Sequence, residues 1–598
     1  MHEQRRYWYD IGLIWLAALT TSTLVPLYLL SAQPKEFGHF ALGPFSAFSA
    51  VIAAALGTLG TLVYAVLAAL TPHVLARVFA LFVLLWTVVT GFVFPVVHGE
   101  RMVSPQSLSV NYTNLLLALL LTTALVRVTV SKRFAALPFL FFAFVMLFTL
   151  LPGARQVYQL SIRPEAVGKT RAELLSLSRE ENVIVLSFDG LPGNIVREAF
   201  GQRPELRDAF QDFVFFDEAI SLAPATTAST IAELFGNRNY AEVGDTELEL
   251  IERLDASTLP LNRAAKAGTA AFTFGIVYNP FNLDPAKRLD TGDIYGGRPQ
   301  DVLLNSTTFF EYGVARMATR HAVRLLRQKR LIRQAITALT AARSGELSER
   351  LVDHHGPPWD VNFIKQQLDL EAFIANVKVG RSEPYLAFMH FLHTHNPVDF
   401  DSRCEYHSDD LTWYLQNQSE TGIKEEVICA LTQAARFVER LRALGIYDKS
   451  FLVIKSDHGQ PVSYFNEPPH NLRVNKHPLW GVNRYLPLLM IKGRGRVAPR
   501  MEVISKAVTL GDLSKTLCRE LLGDVSACQS FPGVDLSAEP DLRDNPVIYV
   551  NVVKDAESTF EFDTHLTVEL NRTNPGDTFV DLLKQAKEVE ISSADDAD

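Results

Sequence analysis

Val183-Ile-Val-Leu-Ser-Phe-Asp189-Gly190 is an unbroken run of β-branched and apolar residues that ends in an acid and a glycine. Such a run marks a strand buried on both faces, as in a parallel sheet covered by helices. Working outward, similar runs recur at Ala271–Val277, Tyr385–Met389, Phe451–Ile454 and Leu488–Ile491, separated by helical stretches. The alternation predicts an α/β domain, a parallel sheet with helices on both faces. In open sheets of this kind functional groups gather beyond the carboxyl ends of the strands. Asp189 follows the first run, His390, His393 and His395 cluster after the third, and Asp457-His458-Gly459 closes the fourth.

A single aspartate after a strand reads as a turn or helix-cap carboxylate. Two aspartates and an adjacent histidine at neighbouring strand ends instead supply the oxygen and nitrogen donors that suit a zinc-like divalent ion. A further donor is offered by Ala223-Pro-Ala-Thr-Thr-Ala-Ser-Thr-Ile-Ala-Glu-Leu-Phe-Gly236, a loop entering a short helix. At a helix start a hydroxyl meets unpaired backbone N–H groups and the positive end of the dipole. Metal coordination turns such a hydroxyl into a nucleophile. Thr226 and Thr227 both stand there, and the plainer reading of either is an N-cap.

The first 152 residues have another character. Apolar stretches at 11–32, 41–70, 78–97, 112–131 and 134–152 each approach or exceed the roughly 20 residues that cross a bilayer. Arg5 and Arg6 precede the first, Arg77 falls between the second and third, and Arg127, Lys132 and Arg133 fall between the fourth and fifth. By the positive-inside rule the N-terminus is cytoplasmic, and five spans deliver the rest of the chain to the opposite side. The expected organisation is a transmembrane domain at 1–152, a linker at 153–180, a catalytic domain at 181–590 and an acidic tail at 591–598. Cys404, Cys429, Cys518 and Cys528 all lie in the second half; outside the cytoplasm they permit two disulfides, with the nearest pairings 404–429 and 518–528. The net charge of −9 and the lack of a basic stripe with interleaved aromatics exclude nucleic acid as the expected partner. Residues 316–333, rich in Arg, read either as a solvated helix face or as a surface for anionic lipid headgroups.

Taken together, Ser-Phe-Asp189-Gly, Thr226-x-x-Ser229 and Ser456-Asp457-His458-Gly resemble, in order and spacing, the core of the alkaline phosphatase and sulfatase superfamily. With several spans in front, the architecture resembles the lipopolysaccharide phosphoethanolamine transferases and the lipoteichoic acid synthases. That resemblance implies one zinc or manganese ion held by Asp189, Thr226, Asp457 and His458, with Thr226 as nucleophile. Thr226 is favoured over Thr227 because a small polar residue, here Ser229, follows the family nucleophile by three positions. His390-Phe-Leu-His-Thr-His395-Asn-Pro resembles a His-x4-His-Gly-Pro segment of the phosphoethanolamine transferases, which implies that His390 and His395 belong to the substrate site and that His395 binds the phosphoryl group. His470 stands at the spacing of a further substrate-binding histidine, and His477 competes for that role.

The departures narrow the chemistry. The transferases usually carry Glu where this chain has Asp189-Gly190. The Cys- or Ser-x-Pro-Ser-Arg signature of sulfatases, whose first residue becomes formylglycine, is absent, so phosphoryl chemistry is preferred to sulfate ester hydrolysis. The Asp-x3-His pair of a second metal site is missing near His390–His395, which favours one ion and leaves a second open. The implied partners are a phospholipid donor and an envelope glycan or lipid acceptor, and the implied setting is the bacterial cytoplasmic (inner) membrane with the catalytic domain on its periplasmic or outer side. The alternative is a membrane-tethered phosphoester or sulfate ester hydrolase. A reporter enzyme fused after Asp598 is expected to be active only outside the cytoplasm; activity inside would overturn the odd number of spans.

Overall fold

The computed structural model describes residues 2–32, 42–93, 112–129, 138–140, 142–143, 167–236, 256–276, 287–295, 347–351, 354–356, 360–460, 472–474, 477–478, 481–523, 526, 528–529, 531–553, 565–572, 574, 576–586 and 589–591. The chain divides into two compact units, one comprising Met1–Glu165 with Gly296–Asn362 and the other Ala166–Tyr295 with Phe363–Asp598. The basic stretch 316–333 and the acidic tail lie outside the described residues.

In the first unit, three helical segments among the described residues are long and apolar enough to cross a membrane: Tyr7–Tyr28, Phe45–Leu70 and His73–Phe92. This is fewer than the five expected. The fourth stretch does form an apolar helix, Tyr112–Thr129. The fifth, 134–152, is described only at residues 138–140 and 142–143. Small residues allow the helices to touch: a Cβ on Gly57 would lie 2.7 Å from the Trp15 ring, and one on Gly60 would lie 2.6 Å from Ile14. Arg77, expected in a connection, instead belongs to the helix His73–Val88, where its Nε lies 3.5 Å from buried Asp10 Oδ1. The Tyr64 hydroxyl donates to Asp10 Oδ2 at 2.9 Å. An acid in an apolar bundle is costly unless paired, and these contacts pair it with groups from the other two spans.

The second unit is built on one eight-stranded sheet. In chain order its strands are β1 (Asn182–Phe188), β2 (Val214–Phe216), β3 (Ala270–Phe274), β4 (Arg288–Leu289), β5 (Tyr385–Phe391), β6 (Ser450–Ser456), β7 (Leu489–Lys492) and β8 (Glu502–Ile504). Their spatial order is β8-β2-β7-β6-β1-β5-β3-β4. All pairs are parallel except those of β7, which runs antiparallel to both β2 and β6, so the sheet is mixed rather than all-parallel. A short antiparallel strand buried on both faces has the same apolar run as a parallel one, so Leu488–Ile491 carried no sign of its direction.

Alternate residues of β1 enter opposite cores. Val183 and Val185 pack with the helices Thr226–Phe235, Pro260–Lys266 and Leu513–Leu522. Ile184, Leu186 and Phe188 pack with Gly193–Gln202, Glu420–Ala443 and the second half of Asp360–Asn376. Helices therefore cover both faces, as the unbroken apolar strands required. Residues 167–178, expected as linker, are structured: Ser176–Ser178 pairs with Lys378–Arg381, and the Tyr385 hydroxyl bonds to the Leu174 carbonyl at 2.7 Å. Disulfides join Cys404 to Cys429 and Cys518 to Cys528, the nearest pairings.

His393 sits within the second of these cores, packed edge-on against Phe188, Phe391 and Phe400, with Nε2 on Gln433 Oε1 at 3.0 Å. Burial pushes its pKa down to about 4 from 6.5. Because the folded-state value is depressed, the unfolded chain binds this proton between pH 6.5 and 4 and the folded chain does not. Stability is therefore lost as pH falls through that window, by at most about 3 kcal/mol. His393→Phe is expected to flatten the unfolding midpoint across that window, and an unchanged pH profile would contradict the assignment.

Candidate metal-dependent active site

The centre of the sheet places the functional residues. β6, β1 and β5 are adjacent and in register, with Phe188 opposite both Ser456 and Phe391, so the residues that follow emerge side by side. Asp189 and Asp457 are the first residues beyond β1 and β6, both buried. Asp189 is held from behind: its N–H donates to the Phe391 carbonyl at 2.9 Å, and its carbonyl accepts the Thr394 hydroxyl at 2.7 Å. Gly190, at φ +65°, turns the chain so that its own N–H meets Asp457 Oδ1 at 3.0 Å.

Each carboxylate has one oxygen committed to the protein and one that is not. Asp457 Oδ1 accepts the N–H groups of Gly190 and His458, at 3.0 and 2.9 Å. Asp189 Oδ2 accepts the Thr226 hydroxyl at 3.1 Å and faces His390 Nε2 at 3.3 Å. The other two oxygens, Asp189 Oδ1 and Asp457 Oδ2, are buried without a hydrogen-bond partner. His458 Nε2 lies 3.9 Å from the first, 3.4 Å from the second and 3.3 Å from the Thr226 hydroxyl. Its Nδ1 lies 2.7 Å from the Gly459 carbonyl, an acceptor, so the ring proton belongs on Nδ1 and Nε2 presents a lone pair.

Three oxygens and one nitrogen thus converge around buried oxygens that nothing else satisfies. The three acidic and histidine donors alone have ligand atoms within 4.8 Å of one another. This is the donor set of a divalent cation, and the residues present fit one. Burial would raise the Asp189 pKa, but the surrounding imidazoles of His395, His390 and His458 outweigh it and hold the carboxyl well below the usual range.

Thr226 is the first residue of its helix, and the N-cap is Ala225. The Thr226 hydroxyl is therefore not spent on capping. Ser229, one turn along, is fully buried, donating to the Asp457 carbonyl at 2.6 Å, which Ser221 also bonds at 2.8 Å. The helix carrying Thr226 is thereby clamped to the turn carrying Asp457. Thr227 is half-buried and lines a cavity of about 10 Å³ with Thr230 and Ile276.

The remaining predicted residues divide. His390 lies within β5 rather than beyond it, yet reaches Asp189. His395 is half-buried, with Nδ1 on the Asn396 carbonyl at 2.6 Å. Burial lowers its pKa and the nearby Asp189 opposes that shift. His477 pairs by backbone with Val474, and His470 lies outside the described residues. His354 lies 3.5 Å from Asp360 in the first unit.

Sequence reading missed Ser187, Lys455, Glu233 and Arg484. Arg484 donates to the Pro224 carbonyl, two residues before Thr226, while its own carbonyl accepts the Gly459 N–H at 2.9 Å. Lys455 carried a visible signal, a charge inside an apolar strand two residues before Asp457.

No family model matches the chain, and no curated protein matches it. Among solved structures it is similar to a phosphonate monoester hydrolase from Silicibacter pomeroyi, at 14% identity and TM-score 0.39 over 66% of this chain and 85% of that one. It is also similar to a protein of the alkaline phosphatase superfamily from Vibrio parahaemolyticus, at 11% identity and TM-score 0.35 over 71% and 93%. A third is the lipoteichoic acid synthase LtaP from Listeria monocytogenes, at 13% identity and TM-score 0.33 over 68% and 91%.

Asp457→Asn keeps the acceptor for Gly190 and removes the charge facing His458. The variant is expected to fold and to lose its stoichiometric divalent ion. An undiminished ion content by elemental analysis would remove Asp457 from the ligand set.

Proposed function

We propose that the chain is a membrane-anchored, metal-dependent phosphotransferase that moves a phospholipid headgroup phosphate, phosphoethanolamine or phosphoglycerol, to an envelope glycan or lipid through a phospho-threonine at Thr226. The observation that carries this reading is the Thr226 hydroxyl. It stands uncapped at the start of a buried helix, bonded to Asp189 and facing His458 Nε2, beside two unpartnered carboxylate oxygens.

Asp189, Thr226, Asp457 and His458 would hold one ion; zinc suits a nitrogen with oxygens, and manganese accepts the same set. When bound, the ion lowers the pKa of the Thr226 hydroxyl and neutralises charge on the phosphoryl oxygens. Thr226 Oγ1 attacks phosphorus, the bond to the diacylglycerol oxygen breaks, and the proton given up by Thr226 is balanced by one taken up on the departing oxygen. The N–H groups of the first helical turn have no carbonyl partners within the helix and favour the anionic phosphoryl group. A hydroxyl of the acceptor then attacks the same phosphorus, and Thr226 leaves and regains a proton.

In this reading His395 binds the phosphoryl group, its ring oriented by the contact of Nδ1 with the Asn396 carbonyl. A hydrated-aldehyde nucleophile has no place here, because threonine cannot be oxidised to formylglycine. The apolar helices of the first unit support a donor that resides in the bilayer.

Purified protein incubated with vesicles of phosphatidylethanolamine, or of phosphatidylglycerol, is expected to carry the corresponding headgroup phosphate on Thr226 by peptide mass spectrometry. Thr226→Ala abolishes the adduct, while Thr227→Ala keeps it. An adduct on Thr227 would move the nucleophile by one residue. Headgroup phosphate released to water without any acceptor would make the chain a hydrolase instead.

A further inference from the structure

One layer beneath the ligand residues, three polar side chains form a row across the central strands. Lys455 on β6, Ser187 on β1 and His390 on β5 are direct register partners, Ser187 opposite both of the others. Side chains alternate along a strand, so all three share the face of Val183, Val185, Phe388, Phe451 and Val453, towards the helix that carries Thr226. All three are buried. Lys455 Nζ is closed off by Glu233 Oε2 at 2.7 Å, from the last turns of that helix, with both side chains about 1% exposed.

The hydrogen bonds along the row have a fixed sense. Lys455 can only donate, and it does so to Ser187 Oγ at 3.1 Å. Ser187 Oγ lies 2.9 Å from His390 Nδ1. At the other edge of the ring, His390 Nε2 lies 3.3 Å from Asp189 Oδ2, a carboxylate that can only accept. A neutral ring that donates through Nε2 must accept through Nδ1, and the Ser187 hydroxyl is the donor placed to serve it.

We propose that Glu233, Lys455 and Ser187 are positioning residues that hold His390 as an Nε2–H donor to Asp189, so that His390 orients this carboxylate and stays out of the cation's ligand set. The inference rests on the cation reading of Asp189, Thr226, Asp457 and His458. It gives the buried Glu233–Lys455 pair a task, since the ammonium orders Ser187 only if its own charge is balanced in place. It also explains how a histidine can lie 3.9 Å from the unpartnered Asp457 Oδ2 without completing a second metal site.

The test is the 15N spectrum of the full-length chain in detergent, labelled at the imidazole nitrogens and assigned with His390→Gln, recorded metal-free and zinc-loaded. The expected result in both states is a proton on Nε2 of His390 and a hydrogen-bonded, unprotonated Nδ1. Ser187→Ala is expected to admit the Nδ1–H form and to weaken zinc binding, read by titration, by about 10–100-fold. A proton on Nδ1 in the unsubstituted chain, alone or on both nitrogens, overturns the proposal, as does a zinc-bound Nε2. A ring and a zinc affinity both unchanged in Ser187→Ala overturn it equally. If the chain binds no zinc at all, the cation reading fails, while the metal-free spectrum still decides the tautomer.

Discussion

Two buried carboxylates, Asp189 and Asp457, each leave one oxygen without a partner at the ends of adjacent strands. Like charges in a poorly solvated setting repel, and ionised oxygens without hydrogen bonds are costly, so the arrangement favours a positive charge between them. The other features of the site follow from that need. Backbone N–H groups of Gly190 and His458 fix the committed oxygen of Asp457, Thr226 and His390 fix that of Asp189, and Ser221 with Ser229 tie the nucleophile helix to the same turn. The geometry is over-determined by the scaffold, which is what a preorganised site requires.

The sheet converts sequence spacing into this geometry. Because β6, β1 and β5 are parallel and in register, residues at matching distances from their ends become neighbours although they are hundreds of positions apart in the chain. The ligand layer comes from the residues just past the strands, and the layer beneath from Lys455, Ser187 and His390. The same alternation that sends Val183 and Ile184 into separate cores puts this polar row on the nucleophile's side.

Much of this was legible in the sequence, for definite reasons. The central strands were visible as unbroken apolar runs because helices cover both faces, and Asp189, Asp457 and His458 were visible because strand ends gather such residues. What was hidden depends on three-dimensional pairing. The direction of β7 leaves no trace in a short buried strand. Ser229 lay at helical spacing from Thr226, but the register of that helix against the Asp457 turn points it into the protein. Arg77 looked like a loop charge until its partner Asp10, on another helix, was in view.

The central claim is that a single ion is held by one imidazole and by oxygens of Asp189, Asp457 and Thr226. Zinc K-edge absorption fine structure of the zinc-loaded, full-length protein addresses the ligand set directly. The account predicts a first shell of nitrogen and oxygen at about 2.0–2.2 Å with the outer scattering of one imidazole ring. A shell containing two or more imidazoles, or none, would contradict it.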